Sequence, residues 1–322
     1  MTTTPQEKRL HDRSAAGQRV AVVALLCATA VWGWSYLATV WLLPEMGTAS
    51  LVAVRFVLAG LLMVAVRPRA VFALGRRHLL AGLALAVLLG LGTLLQVEGQ
   101  HHIPPSQSGF LVSLFVVLTP LVAWALFRTR VTKGVWAGVF LATAGLAVIS
   151  FNGVAMSLGS WLTLTAALAY ATQVAVLSEY SSPDKVFGLA TLQVLGTGVL
   201  AACWAVPAGI DLPDTGAGWG WLVYSTLLAT LGMYAVQTWS QSRVSAATAA
   251  VVLACEPLFV AVFSLLTGAV LAGRTVAGGV LILAAMYLVV SADRRVAPPL
   301  ADPLALPEAP APGTGFPAPR EP

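Results

Sequence analysis

Charge is what this chain lacks. Only 10% of its 322 residues are Asp, Glu, Lys or Arg, against 58% hydrophobic residues. A soluble domain carries about 25% charged residues. So few charges cannot clothe a water-facing surface, which excludes an ordinary globular enzyme and makes lipid the solvent for most of the chain. Cysteine is scarce too. Cys27, Cys203 and Cys255 each stand inside an apolar stretch without metal-ligand spacing, which excludes a disulfide framework and leaves them as small buried hydrophobes. Histidine offers no metal site either: His101 and His102 are adjacent, so their rings diverge, and they read as loop residues. Gly-Lys-Ser/Thr, Gly-x-Ser-x-Gly and His-Glu-x-x-His do not occur, which removes ATP drive, hydrolase and metalloprotease chemistry. The expectation is a non-enzyme with no metal and no cofactor.

What the chain has is hydrophobic length. A membrane helix needs about 20 apolar residues. Ten stretches qualify: 20–43, 50–66, 79–97, 107–127, 134–151, 158–178, 187–207, 219–239, 247–267 and 276–292. Lipid offers backbone N–H and C=O groups no partner, and the pattern lacks the short alternating segments of a barrel, so the stretches are helices. Basic residues fall in every second connector. Lys8, Arg9, Arg13 and Arg19 are followed on the same side by Arg67, Arg69, Arg76, Arg77, Arg128, Arg130, Lys133, Lys185, Arg243, Arg294 and Arg295, while the opposite connectors hold Arg274. Positive residues stay cytoplasmic during insertion, so both termini lie inside. The net charge of +5 is spread among these connectors and is no nucleic-acid footprint. Three Lys among eighteen basic residues, with abundant Ala, Gly, Val and Pro, suit a GC-rich bacterial genome, hence an inner membrane. Residues 1–18 read as a cytoplasmic tail, and the Pro/Ala-rich 297–322 as a disordered one.

The halves repeat. Shifted by 137–141 positions, Thr119-Pro120-Leu121 falls on Glu256-Pro257-Leu258, Trp32 on Tyr170, Arg55 on Gln193, Gln96 on Gln237, Gln100 on Gln241, Gly138 on Gly279 and Ser150 on Ser291. The units are 19–152 and 153–296. An odd number of helices per unit starts the second on the opposite side of the membrane, so two five-helix repeats are inverted. That is the geometry of alternating access. The expected fold is an all-α integral membrane protein of ten transmembrane helices as two inverted five-helix repeats.

On these residues the chain resembles the drug/metabolite transporter superfamily, in its EamA-type branch. The resemblance spans roughly 20–292 and is carried by Trp32-Gly33-Trp34-Ser35, Arg55-Phe56, the run Phe110 to Leu121, Glu256-Pro257 and the Gly-rich fifth and tenth spans. It implies a central cavity and export of small metabolites. One departure stands out: Thr129 and Val270 occupy the positions of the glutamates in the Gly-Glu-Arg motif that often follows each fourth helix of the family.

Glu256 is the most informative residue, because a carboxylate in mid-span costs about 2.5 kcal/mol or more. It serves either as a substrate or proton-coupling group or as a neutral acid in a helix–helix hydrogen bond. Pro257 and Pro120 should kink their helices, freeing the carbonyls of Leu253 and Val116. Arg55 either snorkels to the headgroups or meets Glu98, Glu256 or an anionic substrate. Trp32, Trp34, Ser35, Tyr170, Gln173, Gln193, Tyr234, Gln237 and Gln96 are candidates to line a cavity for amphipathic solutes, against the bland reading of packing and interhelical hydrogen bonds. Trp41 and Trp219 read as interfacial anchors, and Gly134, Gly138, Ala142 and Gly145 as a close-packing face. The expected partners are the bilayer, a small organic solute and protons. The expected activity is secondary-active efflux, with a passive facilitator, a membrane-embedded enzyme and a non-transporting scaffold as the alternatives.

Overall fold

The computed structural model describes residues 5–128, 133–150, 156–180, 184–241, 252–253 and 255–294, and these contain helices and no β-strand. α1 (Pro5–Leu42) runs back from its apolar part, which starts at Arg19, into the segment expected to be a tail. α2 (Thr48–Val66) stops at Arg67, whose backbone (φ −144°, ψ 71°) is pushed out of the helical region by Pro68. A short α3 (Arg69–Phe72) leads to α4 (Arg76–Gly99). α5 (Pro105–Val112) opens on proline, whose missing N–H is no loss in a first turn. α6 (Phe115–Phe127), α7 (Lys133–Ser150), α8 (Leu158–Tyr180) and α9 (Val186–Ala208) follow. α10 (Gly216–Val223) is capped by Thr215, whose side chain accepts the Gly218 N–H at 2.9 Å. It passes directly into a π-helix, Tyr224–Gly232, and then α11 (Met233–Gln241). α12 (Glu256–Leu266) and α13 (Gly273–Arg294) close the described chain.

Seven of these segments are long and apolar enough to cross a membrane: Arg19–Leu42, Thr48–Val66, Arg76–Gly99, Pro105–Phe127, Leu158–Leu177, Phe187–Ala208 and Gly216–Gln237. Three shorter apolar helices, Lys133–Val148, Glu256–Leu266 and Gly273–Leu288, accompany them. The surface is apolar as well as the core. Phe140 is 74% exposed, Trp204 73% and Leu266 75%, which in water would be a large aggregation liability and in lipid is solvation. Cys27 and Cys203 belong to this surface. They are exposed rather than buried as expected, because a small apolar side chain is as well solvated by lipid tails as by the core.

Contacts place the connectors at two rims. Glu45, Gly47, Thr48, Glu98, His101, Asp211 and Thr215 meet at one, through bonds such as Thr215 Oγ1 to Glu45 Oε1 (2.7 Å) and Thr48 Oγ1 to Glu98 Oε2 (2.7 Å). At the other, Arg67 lies over Phe187, Arg77 over Tyr180, and Lys185 Nζ donates to Ala73 O (3.1 Å). The charge segregation seen in the sequence thus survives in three dimensions as an acidic rim and a basic rim.

Between the rims α2 packs along α9, α7 along α13, and α4 against both α8 and α9. The α2–α9 crossing is reciprocal. A Cβ on Gly60 would come within 2.6 Å of Leu195 Cα, and one on Gly198 would strike the backbone nitrogen of Val57. Gly145 plays the same part in the α7–α13 seam, where an added Cβ would meet Gly278 O at 2.8 Å.

Two interruptions revise the helices expected from sequence. The 107–127 stretch is not one helix kinked at Pro120. It breaks at Ser113–Leu114, where tight i→i+3 bonds such as Val116 N to Ser113 O (3.1 Å) appear, and Pro120 sits inside the α6 that follows. Thr119 Oγ1 donates to Phe115 O (2.7 Å), keeping one carbonyl of that turn occupied. The second interruption is the turn at Cys255, after which α12 starts on Glu256 with Pro257 at its second position. Most of the preceding connector, 242–251, lies outside the described residues, as do Thr129 and the 297–322 tail. Val270 stands in the α12–α13 connection, 94% exposed.

Candidate functional site

Helical spacing puts Trp32 and Tyr36 on one face of α1, four residues apart. That face turns to α11, the π-helix and α12, the elements α1 packs against. Trp32 Nε1 donates to Ala229 O (2.8 Å), a carbonyl within the π-helix. Its ring meets Tyr234 edge-on at 6.0 Å between centroids. The Tyr36 hydroxyl stands beside the carboxyl of Glu256 and the Gln96 side chain, near enough to interact with both. Gln96 in turn accepts the Tyr170 hydroxyl at 2.8 Å, with Thr93 Oγ1 3.3 Å from the same oxygen. A line of polar groups therefore crosses the bundle, from Glu256 past Tyr36 to the hydrogen-bonded Gln96, Tyr170 and Thr93, on α12, α1, α4 and α8. Glu256 itself is half-buried at the start of α12, held in the helix interruption rather than midway along a continuous helix.

Arg55 belongs to the same region. It does not snorkel. Its Nε donates to Thr230 Oγ1 at 2.6 Å, and the Thr230 hydroxyl in turn donates to Ser225 O (2.9 Å), one π-turn back. Tyr170, Tyr224 and Tyr234 stand near enough to feel the guanidinium charge. Among the described residues the one ion pair is Lys185 with Asp184 (3.3 Å), so Arg55 is paired with neither Glu98 nor Glu256. Glu98 stays at the acidic rim, bound by Thr48.

The other expected residues divide. Gln173 and Gln193 are both buried and tied to each other, Nε2 to Oε1 at 2.7 Å, which closes an α8–α9 link. Ser35 is buried and donates to Trp32 O (2.7 Å), a local bond. Trp34 points elsewhere, packing on Trp41 (5.8 Å) and Phe263 (5.1 Å). Gln237 is half-buried on α11, one turn beyond Tyr234. Tyr36, Thr93 and Thr230 were missed by sequence reading. Tyr36 carries a signal, since it falls four residues after Trp32 on the same face; Thr93 sits three before Gln96; Thr230 lies in an apolar run with nothing to mark it.

At the acidic rim two carboxylates tie the α1–α2 connection to the α9–α10 connection. Glu45 accepts from Asp214 N (3.0 Å), Thr215 N (3.1 Å) and Thr215 Oγ1, at the start of α10. The Thr215 hydroxyl and amide hold the Glu45 carboxyl below its ordinary range. Asp211 accepts from Gly47 N (3.1 Å) and lies 3.3 Å from the Ser50 hydroxyl, whose oxygen receives Asp211 N at 3.0 Å.

The architecture has relatives. A solved protein structure, 18% identical in sequence, superposes with a TM-score of 0.60 over 87% of this chain and 99% of that one, which shows a shared fold. An uncharacterized transporter of Archaeoglobus fulgidus is 28% identical over 184 residues, 57% of this chain and 59% of that relative, so the likeness spans about three-fifths of the relative's length. The pattern of the EamA-like transporter family matches twice, at residues 19–151 and 157–291, nearly the whole of the helical region. The chain is a multi-pass membrane protein and belongs to the EamA-like transporter family.

Proposed function

We propose that this protein is a secondary-active exporter of small organic metabolites or xenobiotics, working by alternating access in the bacterial inner membrane with both termini in the cytoplasm and exchanging a proton at Glu256. The observation that carries this reading is the acid's position. Glu256 stands half-buried inside the bundle, in a helix interruption, at the end of a line of polar groups that reaches across to Tyr170. An acid at such depth is costly and marks a pathway.

The reading takes the seven long and three shorter helices together as ten spans, in two units, 19–152 and 153–296, inverted about an axis in the membrane plane. Two features support it. Gly60 and Val57 of α2 have as mates, 138 positions on, Gly198 and Leu195 of α9, and each glycine receives the other's partner, as a two-fold axis through the crossing requires. Exchanging the units also maps the packing onto itself: α4 on α8 is answered by α11 on α1, α4 on α9 by the π-helix on α2, and α6 on α8 by α12 on α1. Two alike units of opposite direction can close either mouth of a shared cavity.

The test is flux in proteoliposomes under an imposed pH gradient. Glu256→Gln is expected to abolish or uncouple transport while the protein still inserts and purifies as the wild type does. Gradient-driven flux unchanged in that variant removes Glu256 from the mechanism. A second reading, a passive facilitator, is favoured by the place of the Tyr36 hydroxyl beside the acid, where it would serve a permanently neutral carboxyl between two helices. Flux that follows the solute gradient and ignores pH selects it.

A further inference from the structure

We infer that Arg55 is the anion-recognition residue of the cavity, and that the solute carries a carboxylate on an aromatic or apolar body. This rests on the transporter reading above and narrows it to a substrate class.

A guanidinium stays charged in any protein environment. Placed at membrane depth, it needs an opposite charge or water. No acid on the surrounding elements is ion-paired with it among the described residues: Glu256 stands beside Tyr36, and Glu98 is bonded to Thr48, Glu45 to the start of α10, and Asp211 to Gly47 and Ser50. Yet Arg55 is not loose. The bond from Nε to Thr230 Oγ1 fixes the plane of the fork, and the Thr230–Ser225 bond fixes Thr230. One N–H of the five is used, and among the described residues no further side-chain or backbone acceptor is bonded to the others. The guanidinium is half-buried and lies 5.5 Å from the Phe56 ring centroid, and a pre-set fork of N–H groups with one bond made matches the two oxygens of a carboxylate.

A second observation points the same way. The hydroxyls of Ser225 and Thr226, in residues 1% and 3% exposed, have no hydrogen-bond partner among the described residues. Buried polar groups ordinarily have one. Both sit in the π-helix, and Ser225 shares the face of Thr230, to which its carbonyl is bonded. π-Helical stretches inside longer helices are common at functional sites. The wall beside the fork is aromatic: Trp32 and Tyr234 edge to face, with Tyr170 and Tyr224 close by. An amine would meet a fixed positive charge here, and a neutral solute would leave that charge unanswered.

The experiment uses the full chain purified in detergent and three probes of one shape: phenylacetate, phenylacetamide and phenethylamine, each at millimolar concentration. Thermal unfolding is read for the wild type, Arg55→Lys and Arg55→Gln, and labelled phenylacetate counterflow is read in proteoliposomes. A ligand that binds only the native form raises the melting temperature. Phenylacetate is expected to stabilise the wild type where the amide and amine do not. Arg55→Gln should weaken its binding roughly tenfold or more, and Arg55→Lys, which keeps charge but not the fork, should fall between. Should Arg55→Gln fail to fold, the wild-type discrimination among the three probes decides. Equal stabilisation by all three, no stabilisation by phenylacetate, or an unchanged Arg55→Gln overturns the inference. Binding at Arg55 with no counterflow of any solute leaves the anion site and sinks the transporter reading. Transport of another solute, indifferent to Arg55, does the reverse.

Discussion

The two family-matched stretches, 19–151 and 157–291, share a helical plan and differ in what they place at equivalent positions. Arg55 of the first faces a π-helix of the second and makes one hydrogen bond there; its mate Gln193 is bonded to Gln173 within the same stretch. Thr119 bonds back to its own helix, whereas its mate Glu256 opens a new one. Where α4 is regular, its counterpart relaxes into nine π-helical residues. Duplication explains the scaffold, and the departures from it concentrate the charged and polar groups. What the two stretches hold in common is packing, and what they do not share is chemistry.

The largest effect should come from the one place where they must be alike. Gly60→Ala and Gly198→Ala each put a Cβ against backbone, which cannot step aside as a side-chain tip would. Each is expected to cost about 1–3 kcal/mol, and larger residues should block assembly. Thermal unfolding in detergent compares the pair, and a loss at only one position would break the reciprocity. Next is a transfer of the acid. Glu256→Thr should reduce pH-driven flux at least tenfold, roughly 1.4 kcal/mol in the rate-limiting barrier. Adding Thr119→Glu should not restore it, because position 119 lies in continuous helix away from Tyr36. Restored flux would make the two stretches interchangeable and sink the comparison. The Gln pair comes third. Gln193→Leu alone strands a buried amide and should cost about 1–2 kcal/mol, while Gln173→Leu with Gln193→Leu should recover most of it. Transport should survive the double change, since the pair's hydrogen bond is made within one stretch, between α8 and α9.

The smallest effect concerns Glu45. Its folded-state carboxyl is held below the ordinary range by Thr215, so the stabilisation it gives is complete above the unfolded value, about 4.3. That stabilisation fades as pH falls through the lowered folded value. The contribution is small for so exposed a group. Melting temperature followed from neutral pH down to about pH 3 should fall less steeply in Glu45→Gln than in the wild type. Parallel curves would release the acid from any role at the rim.

Much of the scaffold was legible in the sequence because lipid imposes length, apolarity and charge placement, and all three are written in the linear order of residues. The helix interiors were harder. Stretches apolar on every face carry little periodicity to say which side meets lipid and which meets protein. The break at Ser113–Leu114 and the π-helix at Tyr224–Gly232 therefore left no pattern to find. Proline misled for the same reason: Pro120 was the visible breaker, but the interruption lies about two turns ahead of it. Glu256, Tyr170 and Gln96 could be singled out because polar groups in an apolar run stand out, and the last two prove to be bonded to each other. Tyr36 was passed over because its ring reads as apolar.

One consequence concerns the seam between α2 and α9. In this conformation it is joined at one rim by Glu45 and Asp211, crossed at the other by Arg67 over Phe187, and pinched at its middle by two glycines. A door that opens to alternate sides cannot be bolted top and bottom at once. Under the alternating access proposed above, such a seam would serve as the hinge post, and the swing would fall to the far jamb, where α1, α8 and the interrupted helices stand.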